Sequence, residues 1–279
     1  MNKEKIYQLL NSDFERKLFE AALTNLKDRE NPLRYNNFAY SIRELSRHIL
    51  HRLAPGAELI KCSWFDTDIN DGKATRAQRA KFAIQGGFSD TTLSNLGLDI
   101  DAYKESVSKI IKAINSLSKY THVNEGTFGM VIEKVDETSE LVINSFIEYT
   151  NSIEECKEII NGLLDSRIDN DLINTVITNS YQNIQMIAPR FSLQFHDLGG
   201  YNVKQITVAE VVVNVHGKIH VTLEYGSRQE RREGEGLDIN EAFPFEVEIR
   251  YPITENFPPV KYQISEFDVN TDSWYGESE

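Results

Sequence analysis

The 279 residues are 40% hydrophobic and 26% charged, with only 15 glycines and 7 prolines, which excludes collagen-like, low-complexity and disordered chains and leaves room for two domains. A formal charge of −13 excludes a protein coated in basic surface for sequence-independent nucleic-acid binding, because that affinity comes from Lys and Arg displacing counterions. Two cysteines, Cys62 and Cys156, are too few for a disulfide framework or a Cys-rich zinc site; the charged N-terminal segment lacks a signal-like apolar core, and no apolar run approaches the roughly 18 residues of a membrane span, so the expectation is a cytoplasmic protein without membrane association.

Up to residue 187 the periodicity is helical. Phe38, Ile42, Leu45, Ile49 and Leu53 form one apolar stripe that stops at Pro55-Gly56. Thr75 is placed to cap a short helix through Gln85, with Ala77, Ala80 and Ile84 inward and Gly86-Gly87 as its terminator. Asp99 or Asp101 opens a longer helix with Tyr103, Val107, Ile110, Ile114 and Leu117 inward. Further helical stretches run through Leu141, Phe146 and Tyr149, then Ile153–Leu164, then Leu172–Ile187.

After Pro189 the period becomes two. Ile219, Val221, Leu223 and Tyr225 alternate with polar residues behind the run Ile206–Val215 and a His216-Gly217 turn, which reads as a hairpin, and Phe191–Phe195, Phe243–Tyr251 and Val260–Phe267 add three strands. The expected class is therefore α+β, a mostly helical domain over 1–187 followed by a small antiparallel sheet domain over 188–279. From Pro189 onward eight bases face sixteen acids. Residues 34–82 run the other way, with nine Lys or Arg against five acids, so this segment is the expected surface for a polyanion, and Arg76 and Arg79 sit one helical turn apart on it.

Several chemistries find no support in the spacing. Asp136 with Glu155-Cys156-Lys157 would imitate a restriction-type metal site only on strands, and these residues lie in helical periodicity. His216-Gly217-Lys218 has no second copy, and neither Gly pair has phosphate-loop spacing. Neither a metal nor a cofactor is expected. One motif remains: Arg43-Glu-Leu-Ser-Arg47-His48 fits the Arg, four residues, His pattern of HEPN ribonucleases. In that family the Arg holds the scissile phosphate and the His moves the proton of the ribose 2′-hydroxyl, so no metal is needed; an imidazole titrates near neutral pH while a guanidinium stays cationic. On one continuous helix, positions five apart point about 140° apart, so a single copy would need a symmetric partner to close a site. A non-catalytic reading stays open, in which Glu44 pairs with Arg47 and His48 on a wet face, while Lys119 and His122 serve a helix C-terminus.

Phe38–Pro55, Cys62-Ser-Trp-Phe65, Thr75-Arg-Ala-Gln-Arg79 with Ala83-Ile-Gln-Gly-Gly87, and Leu117–Val123 together resemble the bacterial proteins described as predicted PIWI-associating nucleases, over about residues 36 to 128. Gly226-Ser227 and Phe243-Pro-Phe245 match more loosely. The resemblance implies a nuclease of an antiviral defence system, working beside an Argonaute-like or other defence protein. Its blocks hold the cations and imidazoles already singled out. The expected site is thus Arg43, His48 and His122 for catalysis and Arg47, Arg76, Arg79 and Lys119 for holding nucleic acid, RNA above all, in a protein that dimerises. The rival expectation is an adaptor that docks a defence partner through its acidic sheet domain.

Overall fold

The computed structural model describes residues 4–267 and 269–276. Its elements are α1 (Glu4–Leu9), α2 (Asp13–Lys27), α3 (Arg34–Leu53), α4 (Gly56–Leu59), α5 (Arg76–Gln85), α6 (Asp90–Asn95), α7 (Ile100–Leu117), α8 (Ile132–Leu164), α9 (Ile168–Thr178), α10 (Gln182–Ile187), β1 (Arg190–Ile206), β2 (Glu210–Tyr225), α11 (Arg228–Glu233), β3 (Leu237–Pro252) and β4 (Gln263–Ile264). Helices precede an antiparallel sheet of order β1-β2-β3-β4, so the class is α+β as the change of period indicates. The chain packs as two compact units, one running to Ile159 and taking in Ile206–Val208, the other comprising Ile160–Gln205 and the residues from Ala209 on. The division falls inside α8, and α9 and α10 belong with the sheet, whereas the sequence places its boundary at 187/188. No helix among the described residues is long and apolar enough to cross a membrane.

In the helical unit, α3 is the central element. Phe38, Ala39, Ile42, Leu45 and Ile49 are all at most 1% exposed, and α3 packs against α2, α5 and α7. Burying one such side chain removes apolar area worth roughly 1.5–3 kcal/mol, so this stripe fixes the rotation of the helix. A bidentate pair reinforces the α2–α3 seam: Arg52 donates from Nε to Glu15 Oε1 and from Nη2 to Glu15 Oε2, both at 3.0 Å. The next helices begin as the sequence predicts. Thr75 Oγ1 accepts the Gln78 N–H at 3.1 Å while Gln78 Oε1 accepts the Thr75 N–H at 2.9 Å, a reciprocal cap on α5. Gly86 ends that helix at φ +54°, a conformation that favours glycine. Asp99 caps α7 through the Asp101 and Ala102 N–H groups. Four apolar positions of the helical unit differ from expectation: Ala77 and Leu141 are exposed, and Leu53 and Val107 are only half-buried. The separate helical stretches expected between Leu141 and Leu164 form the single 33-residue α8, with no proline to interrupt it.

In the sheet unit, Val213, Val215, Ile219, Val221 and Leu223 of β2 face the core beside Phe243, Phe245, Val247 and Ile249 of β3, in a register that pairs Val215 with Val247 and Ile219 with Phe243. Tyr251 Oη donates to Asp171 Oδ2 at 2.8 Å and Arg167 Nε to the same oxygen at 2.9 Å, which ties α9 to the sheet. The expected His216-Gly217 turn is absent, because β2 runs unbroken from Glu210 to Tyr225. Gly217 serves closeness instead: a Cβ there would lie 2.2 Å from the Asp197 carbonyl oxygen and 2.8 Å from the Phe245 ring. The stretch from Gly226 to Gly236, expected as a loop, contains α11, capped reciprocally by Ser227 and Glu230.

The Gly217→Ala variant should therefore lose about 1–3 kcal/mol of stability through overpacking, read as a lower unfolding midpoint of the sheet unit in urea. An unchanged midpoint would show that β1 and β3 yield at that point.

Candidate functional site

With its apolar face committed to the core, α3 turns Arg47, His48 and His51 away from it. Arg47 Nε donates to Glu44 Oε2 at 3.0 Å, one turn back on the same helix. Its Nη2 lies 3.1 Å from His48 Nε2. A guanidinium can only donate, so His48 Nε2 accepts and the ring proton of the neutral form sits on Nδ1. Phe14 of α2 meets the His48 ring edge-on, centroids 5.0 Å apart. That contact limits where the imidazole can swing.

His51 follows one turn after His48. Its pKa is lowered from the ordinary 6.5 by partial desolvation first, then by the positive charge of Arg79, Arg47 and His48. At neutral pH it is therefore uncharged. Arg79 reaches from α5 and hydrogen-bonds through Nη1 to the carbonyl of Ala54, just past the end of α3. A cation there suits the negative end of the helix dipole and is held in place by it. The structure thus gathers Arg47, His48, His51 and Arg79 on one surface of the helical unit. The Arg, four residues, His motif ends at His48 and does not reach His51; the only signal for that residue in the sequence is the three-residue spacing of two imidazoles.

The other expected residues lie elsewhere. Arg43 stands one turn before Arg47, half-buried, and its Nε is buried without a hydrogen-bond partner. It diverges from His48 as five-residue spacing on an unbroken helix requires. Arg76 donates from Nη1 to Asn115 Oδ1 at 2.8 Å, bracing α5 against α7. Lys119 lays its ammonium over the Tyr120 ring at 4.6 Å. His122 is exposed and follows Tyr120, whose carbonyl accepts from Asn36 Nδ2 at 2.9 Å. Asn36 precedes His48 by twelve residues of α3, about 18 Å at 1.5 Å per residue, so Lys119 and His122 belong to the far end of that helix.

Competing chemistries fare less well. Burial pushes the Cys62 thiol up to about 11 and the Cys156 thiol up to about 12, so neither supplies a thiolate. Among the described residues no group of three or more His, Cys, Asp and Glu side chains is arranged to hold a metal ion. On the outer face of the sheet, a hollow of about 580 Å³ is lined by Asp197, His216, Lys218 and Glu246. Two carboxylates against one ammonium make it a poor seat for a phosphate.

Two family models, both described as predicted pPIWI-associating nuclease, match this chain, one over residues 7–146 and the other over residues 153–275. No curated protein and no solved structure matches it. The first match contains the whole Arg47, His48, His51 and Arg79 cluster.

If Arg79 contributes to holding His51 neutral, Arg79→Ala should raise the His51 pKa toward 6.5, as read by NMR titration of the ring Cε1–H. An unmoved titration would assign the shift to desolvation alone.

Proposed function

The chain belongs to the predicted pPIWI-associating nuclease family, and from that premise we propose that it cleaves RNA without a metal, using the imidazoles and guanidiniums of α3 and α5, as part of an antiviral defence system. The observation that carries this reading is the neutral His51 beside the Arg47–His48 pair, with Arg79 fixed next to them. A phosphodiester arriving at this surface competes with His48 for Arg47. Once Arg47 turns to the phosphate, His48 Nε2 is released for proton transfer.

In the step we propose, His51 takes the proton of the ribose 2′-hydroxyl and O2′ attacks the adjacent phosphorus. The P–O5′ bond breaks, and His48, which takes up a proton from water at the Nε2 that Arg47 vacates, passes that proton to the departing O5′. The products are a 2′,3′-cyclic phosphate and a 5′-hydroxyl, with atoms and charge balanced and no outside nucleophile. Arg47 and Arg79 stabilise the charge that develops on the phosphoryl oxygens. Arg43, pointing away from His48, holds a neighbouring phosphate or the facing copy of a homodimer rather than the reacting one. Lys119 and His122, at the other end of α3, guide the same strand at a distance. An Argonaute-like protein or another defence protein in the cytoplasm is the proposed partner, met by the acidic sheet unit.

Cleavage of labelled RNA in the presence of a chelator tests this directly. His48→Ala and His51→Ala should each slow cleavage by about 10²- to 10⁴-fold, the usual worth of one general acid or base. Full activity in both variants would leave these imidazoles out of the chemistry. Loss of activity in chelator would replace them with a metal site, and no cleavage by the wild type would favour the adaptor reading.

The pH profile carries a second expectation. A base whose pKa is depressed keeps its unprotonated form to lower pH, so the acidic limb of kcat/KM should fall below 6.5. In Arg79→Ala that limb should move upward. A limb above 6.5 in the wild type would contradict the role given to His51.

A further inference from the structure

Ala77 and Val107, two apolar residues that helical periodicity places inward, are exposed and half-buried respectively. Both open onto the same cleft of the helical unit, about 270 Å³ in volume, whose wall includes Trp64 and whose rim carries Lys81 and Lys104. The cleft lies between α5, α7 and the segment that leads into α5. Trp64 is anchored there, because its indole N–H donates to the Gly86 carbonyl at 3.1 Å. Lys81 holds its ammonium 4.7 Å from the centre of the indole ring.

The two lysines are set in place by a single carboxylate. Lys81 Nζ lies 2.8 Å from Asp90 Oδ1 and Lys104 Nζ lies 2.8 Å from Asp90 Oδ2. Asp90 is itself fixed by the buried Tyr103, whose hydroxyl donates to Oδ1 at 3.0 Å. Two positive charges thus share one negative charge at the rim. Another carboxylate on the cleft wall, Asp66, accepts the Asp68 N–H at 2.9 Å and keeps its charge, so the positive character is confined to the Lys81–Lys104 rim. An aromatic wall, aliphatic flanks and a rim on which two ammonium groups meet one carboxylate match a flat heteroaromatic ring that carries a phosphate.

We infer that this cleft binds one nucleotide of a single-stranded nucleic acid, the base against Trp64 and Val107 and its phosphate at Lys104 and Lys81. The inference rests on the nuclease reading for its ligand class, though the cleft is distinct from the imidazole cluster. On α5, Ala77, Gln78 and Lys81 line the cleft, whereas Arg79 reaches Ala54 at the end of α3. One helix therefore separates a strand-holding site from a strand-cutting site. Laying one face of a base into the cleft requires a base free of its partner, so duplexes should be refused.

The chain has two tryptophans, so Trp274→Phe leaves Trp64 as sole reporter. Titrating that protein, also carrying His48→Ala to prevent turnover, with a short single-stranded RNA should quench Trp64 emission saturably, and the matching duplex should not. Lys104→Ala should weaken the apparent Kd about tenfold, within the range that single-base stacking and phosphate contacts command. Ala77→Phe, which fills the cleft and removes no contact, should abolish quenching with an unchanged circular-dichroism melt. Quenching left intact by both substitutions, quenching by the duplex alike, or RNA binding by anisotropy without quenching would each overturn the inference. Quenching in a protein that never cleaves RNA would sink the catalytic proposal alone, and cleavage without quenching would sink the cleft alone.

Discussion

The apolar stripe of α3 decides what the helical unit can present. Phe38, Ile42, Leu45 and Ile49 repeat at four- and three-residue spacing and are buried almost completely, so the helix cannot rotate without exposing them. With that face fixed, Arg47 is exposed and His48 and His51 stand one turn apart beside it. The neighbours that hold α3 then complete the surface. Phe14 on α2 abuts His48, and Arg79 on α5 reaches the carbonyl at the end of α3. A cationic and imidazole-bearing patch in a chain of net charge −13 is thus a consequence of core packing.

The excess of basic residues between 34 and 82 overstates that patch. Arg52 is spent on Glu15, Lys61 pairs with Glu58, Arg76 braces Asn115, and Arg34 is 3% exposed. Of these, Arg52 and Arg76 tie helices together, Arg34 is buried, and Lys61 stays exposed beside its partner. What distinguishes Arg47 and Arg79 is the company of two imidazoles, one of them kept neutral by desolvation and by the charges around it. Lys81 and Lys104, drawn together by Asp90, form a second concentration of charge on the other side of α5.

Much of this can be read from residues alone where the signal is local. The caps at Thr75 and Asp99, the glycine that ends α5 and the stripe of α3 each depend on neighbours within one or two turns, and each is legible. The misreadings arise from tertiary contacts. Gly217 looks like a turn residue until the Asp197 carbonyl and the Phe245 ring are seen to need the space. Ala77 and Val107 follow the inward period but meet a cleft, because the chain between Cys62 and Thr75 does not close over them. His122 and His48 share a matching set of sequence blocks yet stand at opposite ends of one helix. His51 is inconspicuous in the sequence because its importance comes from Arg79, which lies twenty-eight positions away.

The most direct measurement follows the six histidine Cε1–H signals while the protein is titrated with a non-cleavable 2′-deoxy strand. If α3 and α5 present the cutting surface, the His48 and His51 resonances will move most and saturate together. Movement confined to His196, His216 and His220 would place the nucleic acid on the sheet unit and contradict that assignment.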